Sequence, residues 1–179
     1  MTDPQDAYLQ LLARVDDFTR RVSQRYPGML QCQAGCDDCC RRDLSLFPIE
    51  IDRVLEQLAG LAPDQQRLVL DRARAALVDE EAACPLLEEG LCLVYPVRPV
   101  ICRSHGLPLL IPEQDSLSIC PHNFKGLLDI EGECVLDLTP VNQILATTNL
   151  LRSRAQEKSP ERISISRAIV EALVGGESP

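Results

Sequence analysis

Near the start of the chain, apolar side chains recur every three or four positions. Tyr8, Leu11, Leu12, Val15, Phe18 and Val22 fall at i, i+3, i+4, i+7, i+10 and i+14, the spacing of one face of an α-helix. Asp3-Pro4 supplies an N-cap and a first helical residue, and Pro27-Gly28 stops the pattern after about five turns. Pro48 opens a second helix with Ile51, Val54, Leu55 and Leu58 inward, ending around Gly60. Pro63-Asp64 opens a third with Val69, Ala73, Ala76 and Leu77 inward, and the short turn between the two predicts an antiparallel pair. Thr139-Pro140 begins a fourth helix, carrying Val141, Ile144, Leu145, Thr148 and Leu151. Ser159-Pro160 begins a fifth, carrying Ile165, Ala168, Ile169, Ala172 and Leu173, which Gly175-Gly176 ends.

Between these segments the helical period fails. Over residues 84–104, Pro85, Gly90, Pro96 and Pro99 interrupt it repeatedly. A structured loop there needs something other than hydrophobic periodicity to hold it, and bonds to a metal can serve. Leu109-Leu110-Ile111 and Leu117-Ser118-Ile119, on either side of Pro112-Glu113-Gln114-Asp115, predict a small hairpin. Glu131-Gly132 predicts a turn before a short strand at Cys134-Val135-Leu136. The fold class is therefore mainly α: a single helical domain over residues 1–179 with a small β-hairpin and cysteine-rich metal-binding loops. Its parts are an N-terminal helix (1–27), a cysteine-rich region with a helical pair (28–138) and C-terminal helices (139–176). Neither an internal repeat nor a domain linker is visible.

The non-periodic segments carry the chemistry. Cys32-Gln-Ala-Gly-Cys36-Asp-Asp-Cys39-Cys40 places four thiols in nine residues, and Cys84, Cys92, Cys102, Cys120 and Cys134 follow. The spacing of 32, 36, 39 and 40 fits one face of a helix, whereas Gly35 favours a loop leading into a short one. Thiolates bind soft or borderline metals, and four of them suit tetrahedral zinc or the irons of an iron–sulfur cluster. Pro85 and Pro121 bias Cys84 and Cys120 toward extended backbone. Arg41, Arg42, Arg98 and Arg103 lie next to or near cysteines, where they can offset thiolate charge. The neighbours Cys39 and Cys40 are expected to diverge, so that they serve two metals or one ligates and the other packs. Cys134, in an alternating apolar segment, reads as core. His105 and His122 are reserve ligands. Cys102 with His105 is a minimal reactive pair, but no orienting group or oxyanion hole accompanies it, and no catalytic residue is assigned.

Composition narrows the class. A net charge of −9 with 3% aromatic residues argues against a nucleic-acid groove and an anionic membrane surface. Nothing near Met1 reads as a secretory signal, and no apolar run approaches the roughly 20 residues that span a bilayer. A cytoplasmic, reducing location follows as the expectation, and there a cysteine-rich pattern points to metal rather than disulfides.

The opening cluster together with Cys84-Pro-Leu-Leu-Glu-Glu-Gly-Leu-Cys92-Leu-Val-Tyr95-Pro-Val-Arg98-Pro99-Val-Ile-Cys102-Arg103 resembles the CxxCxxCC (YkgJ-type) family of zinc- or iron-chelating proteins, over about residues 32 to 120. Cys36, Cys39 and Cys40 match the family spacing, while three residues rather than two separate Cys32 from Cys36. The resemblance implies metal chelation with Cys32, Cys36, Cys39, Cys40, Cys84, Cys92, Cys102 and Cys120 as ligands. A related arrangement in the flagellin lysine methylase group implies an iron–sulfur cluster as the alternative to zinc. The expected function is a metal-binding protein, its partner a metal ion. The alternatives are an iron–sulfur or zinc enzyme, methylase-related or redox, and a metal-handling or redox-sensing protein.

Overall fold

The computed structural model describes residues 3–79, 81–111 and 117–175. In chain order its helices are α1 (Pro4–Arg25), α2 (Pro48–Ala59), α3 (Pro63–Ala76), α4 (Val100–Ser104), α5 (Leu138–Ala155) and α6 (Ile165–Val174). Its strands, each of two residues, are β1 (Ser45–Leu46), β2 (Leu87–Glu88), β3 (Leu91–Cys92), β4 (Leu109–Leu110), β5 (Leu117–Ser118), β6 (Leu136–Asp137) and β7 (Ile163–Ser164). The architecture is mainly helical. Among the described residues no helix is long and apolar enough to cross a membrane. The backbone groups into two compact units, residues 1–33 with 100–155, and residues 34–99 with 156–179.

In the first unit, α1 begins where expected. Asp3 accepts from the Gln5 N–H at 2.8 Å, Pro4 is the first helical residue, and Tyr8, Leu11, Leu12, Val15 and Val22 are buried. α1 packs chiefly against α5 and, to a lesser extent, α4. The buried face of α5 differs from the expected one. Val141, Leu145 and Thr148 are inward, but Ile144 and Leu151 are exposed, and Asn149, Arg152 and Ser153 are buried instead. The helix starts at Leu138, and its inner stripe continues through polar residues that an apolar count passes over. β4 pairs antiparallel with β5, as the hairpin pattern predicts, and parallel with β6; the predicted turn at Pro112–Asp115 lies outside the described residues. Cys134 is buried as expected, but in a short 3-10 turn (Gly132–Cys134) rather than a strand. Arg25, at the end of α1, forms a two-pronged ion pair with Glu131, its Nε 3.0 Å from Oε2.

In the second unit, α2 opens at Pro48, and the Glu50 carboxylate accepts from the Phe47 N–H at 3.1 Å, satisfying one donor at the helix start. The predicted α2–α3 pairing is replaced: α3 packs chiefly against α6. Val69 and Ala73 of α3 share one core with Val54 and Leu58 of α2 and with Ile165, Ala168 and Ile169 of α6. The small side chains of Ala73 and Ala168 suit close helix approach. Leu77 is exposed rather than inward, because α3 ends at Ala76 and Leu77 is its C-cap. The last helix starts later than Ser159-Pro160: β7 comes first, pairing with β1, and Ser164 caps α6 through a bond from the Arg167 N–H at 3.1 Å. The predicted stop at Gly175-Gly176 holds at its first residue, where Gly175 is the C-cap; Gly176 lies outside the described residues.

The proline-rich stretch 84–104 is more regular than its sequence reads. β2 and β3 form a two-residue hairpin with Leu87 opposite Cys92 and Glu88 opposite Leu91. Glu89 (φ 47°) and Gly90 (φ 76°) are both left-handed, the backbone of a type I′ turn. The Gly35 N–H donates to the Gly90 carbonyl at 3.2 Å, and a Cβ on Gly90 would sit 3.2 Å from the Gly35 Cα. Arg72 of α3 ties the hairpin down by donating to the Leu87 carbonyl at 2.9 Å.

Gly90→Ala combines a left-handed φ with a backbone clash, so thermal unfolding is expected to show a loss of about 1 kcal/mol or more. The Arg25 partnership holds the Glu131 carboxyl below the usual carboxylate range. A lowered folded pKa stabilises above the unfolded value, about 4.3, and that contribution is lost as pH falls through the folded value. Urea unfolding of wild type and Glu131→Gln is therefore expected to differ at neutral pH and to converge in acid.

Candidate metal centre

Five of the eight predicted ligands lie in the second unit. Cys36, Cys39 and Cys40 come from the opening loop, and Cys84 and Cys92 come from the hairpin segment; all five are half-buried. Two backbone bonds align these segments. One is the Gly35–Gly90 contact. The other runs from the Cys84 N–H to the Cys40 carbonyl at 2.8 Å, and the Cys84 carbonyl then accepts from the Leu87 N–H at 3.0 Å. Pro85 disfavours helical backbone at Cys84, which leaves its N–H available for this cross-link.

The loop ends in a single 3-10 turn, Asp38–Cys40, closed by the Cys40 N–H to the Asp37 carbonyl at 2.7 Å. The expected divergence of Cys39 and Cys40 is not observed: their Sγ atoms are 3.9 Å apart. Neighbours on a strand point to opposite faces, whereas one residue of 3-10 turn rotates the side chain by about 120°, so two short side chains can meet. Two sulfurs each about 2.3 Å from a tetrahedral zinc are about 3.8 Å apart. The pair therefore has the spacing of two thiolates on one metal.

The electrostatics of this group are those of protonated thiols crowded together. The hydrogen bond with Cys40 pushes the Cys39 thiol up, burial and the Cys40 charge add to this, and the Arg98 guanidinium opposes it. Burial pushes Cys92 up, against the Val94 backbone hydrogen bond and Arg98. Arg98 is stacked on the Tyr95 ring at 3.6 Å and donates to the Tyr95 carbonyl at 3.2 Å. The arginines expected to offset thiolate charge differ in the partners they show. Arg98 acts on Cys39 and Cys92, while Arg41 pairs with Asp37 at 2.8 Å and Arg103 with Asp16 at 2.6 Å.

Cys32, Cys102 and Cys120 lie in the first unit. Cys102 is on α4, and four residues later Gly106 passes so close to Cys32 that a Cβ there would be 2.3 Å from its Sγ. Asn123 donates through Nδ2 to the Cys32 Sγ at 3.4 Å and to the Gly106 carbonyl at 2.6 Å. Its own N–H donates to the Cys120 carbonyl at 2.9 Å. Three segments, each with a cysteine in or near it, thus meet around one asparagine. His105 is exposed just after α4, and His122 is half-buried beside Asn123. Asn123 and Gly106 carry no signal in the cysteine spacing, since both act through contacts distant in sequence.

No disulfide joins any of the nine cysteines. Among the described residues, no three Cys, His, Asp or Glu side chains converge as a ready metal-holding group. What fits a metal is the soft donor chemistry and the Cys39–Cys40 spacing. Residues 31–121 match the CxxCxxCC family, described as "Putative zinc- or iron-chelating domain". No match was found among curated proteins or among solved structures. Zinc or iron is accordingly the metal that goes with this sequence. The match covers just over half of the chain, and the protein belongs to the CxxCxxCC family.

Proposed function

We propose that the protein binds zinc or iron through two sets of cysteine thiolates, one in each unit. The first set is Cys36, Cys39, Cys40, Cys84 and Cys92. The second is Cys32, Cys102 and Cys120. The observation that carries the reading is the 3.9 Å separation of the Cys39 and Cys40 sulfurs, which fits two corners of a thiolate tetrahedron.

A bound zinc would cross-link the loops, and an iron–sulfur cluster would add a redox centre. The chain's own residues have separable roles. Cys39 and Cys40 form the chelating pair at the tip of the loop. The Cys84 N–H to Cys40 carbonyl bond holds the next thiol alongside, and the type I′ hairpin carries Cys92. Arg98, steadied by Tyr95, offsets the negative charge that thiolates concentrate there. In the other set, Cys102 is fixed by α4 and Cys32 by its seat against Gly106.

One observation favours metal handling over a sealed structural site. None of the eight ligands is fully buried, and Cys32 is exposed. Reduced thiols at such positions require a reducing compartment, consistent with the cytoplasm.

Anaerobic purification with metal analysis and a visible spectrum on one sample separates the metals. Iron with acid-labile sulfide and charge-transfer absorption identifies a cluster, and colourless protein with stoichiometric zinc identifies the alternative. Cys39→Ser and Cys84→Ser are each expected to lower bound metal and thermal stability together. Wild-type metal content in both variants would overturn the first set, and wild-type content in Cys102→Ser would overturn the second. Metal passing to a competing chelator within seconds is the result expected of a handling role.

A further inference from the structure

We propose that Asn123 is a positioning residue for the Cys32 thiolate, its side-chain amide donating to the sulfur and fixing where a metal is held in that unit. The proposal rests on the reading of Cys32 as a ligand.

Asn123 is 4% exposed, and its amide is used at both ends. Oδ1 accepts from the Gln31 N–H at 2.8 Å, while Nδ2 donates to the Gly106 carbonyl at 2.6 Å and reaches the Cys32 Sγ at 3.4 Å. The orientation of the amide follows from these partners. Only the oxygen can accept from a backbone N–H, and only the nitrogen can donate to a carbonyl, so the nitrogen faces the sulfur. Two N–H groups then serve two acceptors, one of them the sulfur.

The surroundings hold this arrangement in place. Phe124, the next residue, is left-handed at φ 52° although it is not glycine, a conformation that persists only where neighbours enforce it. Its N–H donates to the Met29 carbonyl at 3.0 Å, and its ring meets Tyr26 edge-on at a centroid distance of 5.8 Å. The segment before Cys32 is thereby laid along the segment after Cys120. Gly106, against both the Asn123 amide nitrogen and the sulfur, leaves the sulfur a seat that any larger residue would fill. A hydrogen bond of this kind withdraws charge from a thiolate and sets its direction, and loss of such outer partners lowers metal affinity by about 10–100-fold.

A purely mechanical clamp would also be harmed by substitution, so the test separates the two through Cys32. Zinc affinity is measured by chelator competition for wild type, Asn123→Ala, Cys32→Ser and the double variant. Asn123→Ala is expected to weaken binding about 10–100-fold and to add nothing once Cys32 is serine. An undiminished further loss in the double variant would overturn the positioning role. A loss in Cys32→Ser with none in Asn123→Ala would overturn it too, leaving the ligand reading intact. Wild-type affinity in Cys32→Ser would remove Cys32 as a ligand and the proposal with it. Should Asn123→Ala fail to fold, Asn123→Asp keeps the acceptor for Gln31 and places an anion against the sulfur, with the same loss expected. The unaltered protein loaded with NMR-active cadmium supplies a direct readout. Coupling from cadmium to the Asn123 side-chain amide protons is expected, and coupling to the Cys32 β-protons without it would refute the proposal.

Discussion

The Cys84 N–H to Cys40 carbonyl bond is the contact on which the candidate metal centre turns. The opening loop and the hairpin have few apolar side chains to bury against each other, so hydrophobic burial cannot set their register. A backbone hydrogen bond can, because its direction and length are fixed. At 2.8 Å it aligns the last thiol of the loop with the first of the hairpin. The Gly35–Gly90 approach closes the other end: both residues have a left-handed φ, and a side chain on Gly90 would press on the Gly35 backbone. Cys36, Cys39, Cys40 and Cys84 lie within those fixed points, and Cys92 follows Gly90 on the second strand of the hairpin.

Charge is the second constraint. Several thiolates in a half-buried space repel one another and lose hydration, which is why crowding and burial hold Cys39 and Cys92 toward the protonated form. A metal cation reverses that balance, since a coordinated thiol is deprotonated outright. Arg98 acts in the same direction from outside the set. Its stack on Tyr95 keeps a planar cation at a defined place, a task for which arginine is better suited than lysine. The overall negative charge of the protein, by contrast, says little about this local balance.

Much of the helical framework was legible because helices announce themselves locally. Asp3-Pro4, Pro48 and Pro63 begin helices where their capping chemistry says they should, and Tyr8 through Val22 show the buried face of α1 directly. What was not legible depends on partners distant in sequence. The pairing of α3 with α6 joins residues about a hundred apart, and no local spacing distinguishes it from the α2–α3 pairing expected of neighbours. On α5, buried Asn149, Arg152 and Ser153 interrupt the apolar stripe, so a count of apolar residues chose Ile144 and Leu151. Pattern and company single out eight cysteines as candidate ligands, but carry no sign of their division between the two units. The meeting of the Cys39 and Cys40 sulfurs depends on three residues adopting a 3-10 turn, and the role of Asn123 on a contact with a thiol 91 positions away.

The order in which the segments occur along the chain has a consequence for biosynthesis. The second unit is assembled from residues 34–99 and 156–179, with the whole second half of the first unit between them. Its core needs α6, which leaves the ribosome about seventy residues after Cys92, several seconds later at about 5–20 residues per second. During that interval α3 lacks its main packing partner, while the loop and hairpin thiols have already been made and are joined by contacts local to residues 35–92. In a nascent chain of this kind the thiol-bearing segments are complete well before the hydrophobic core can close around them.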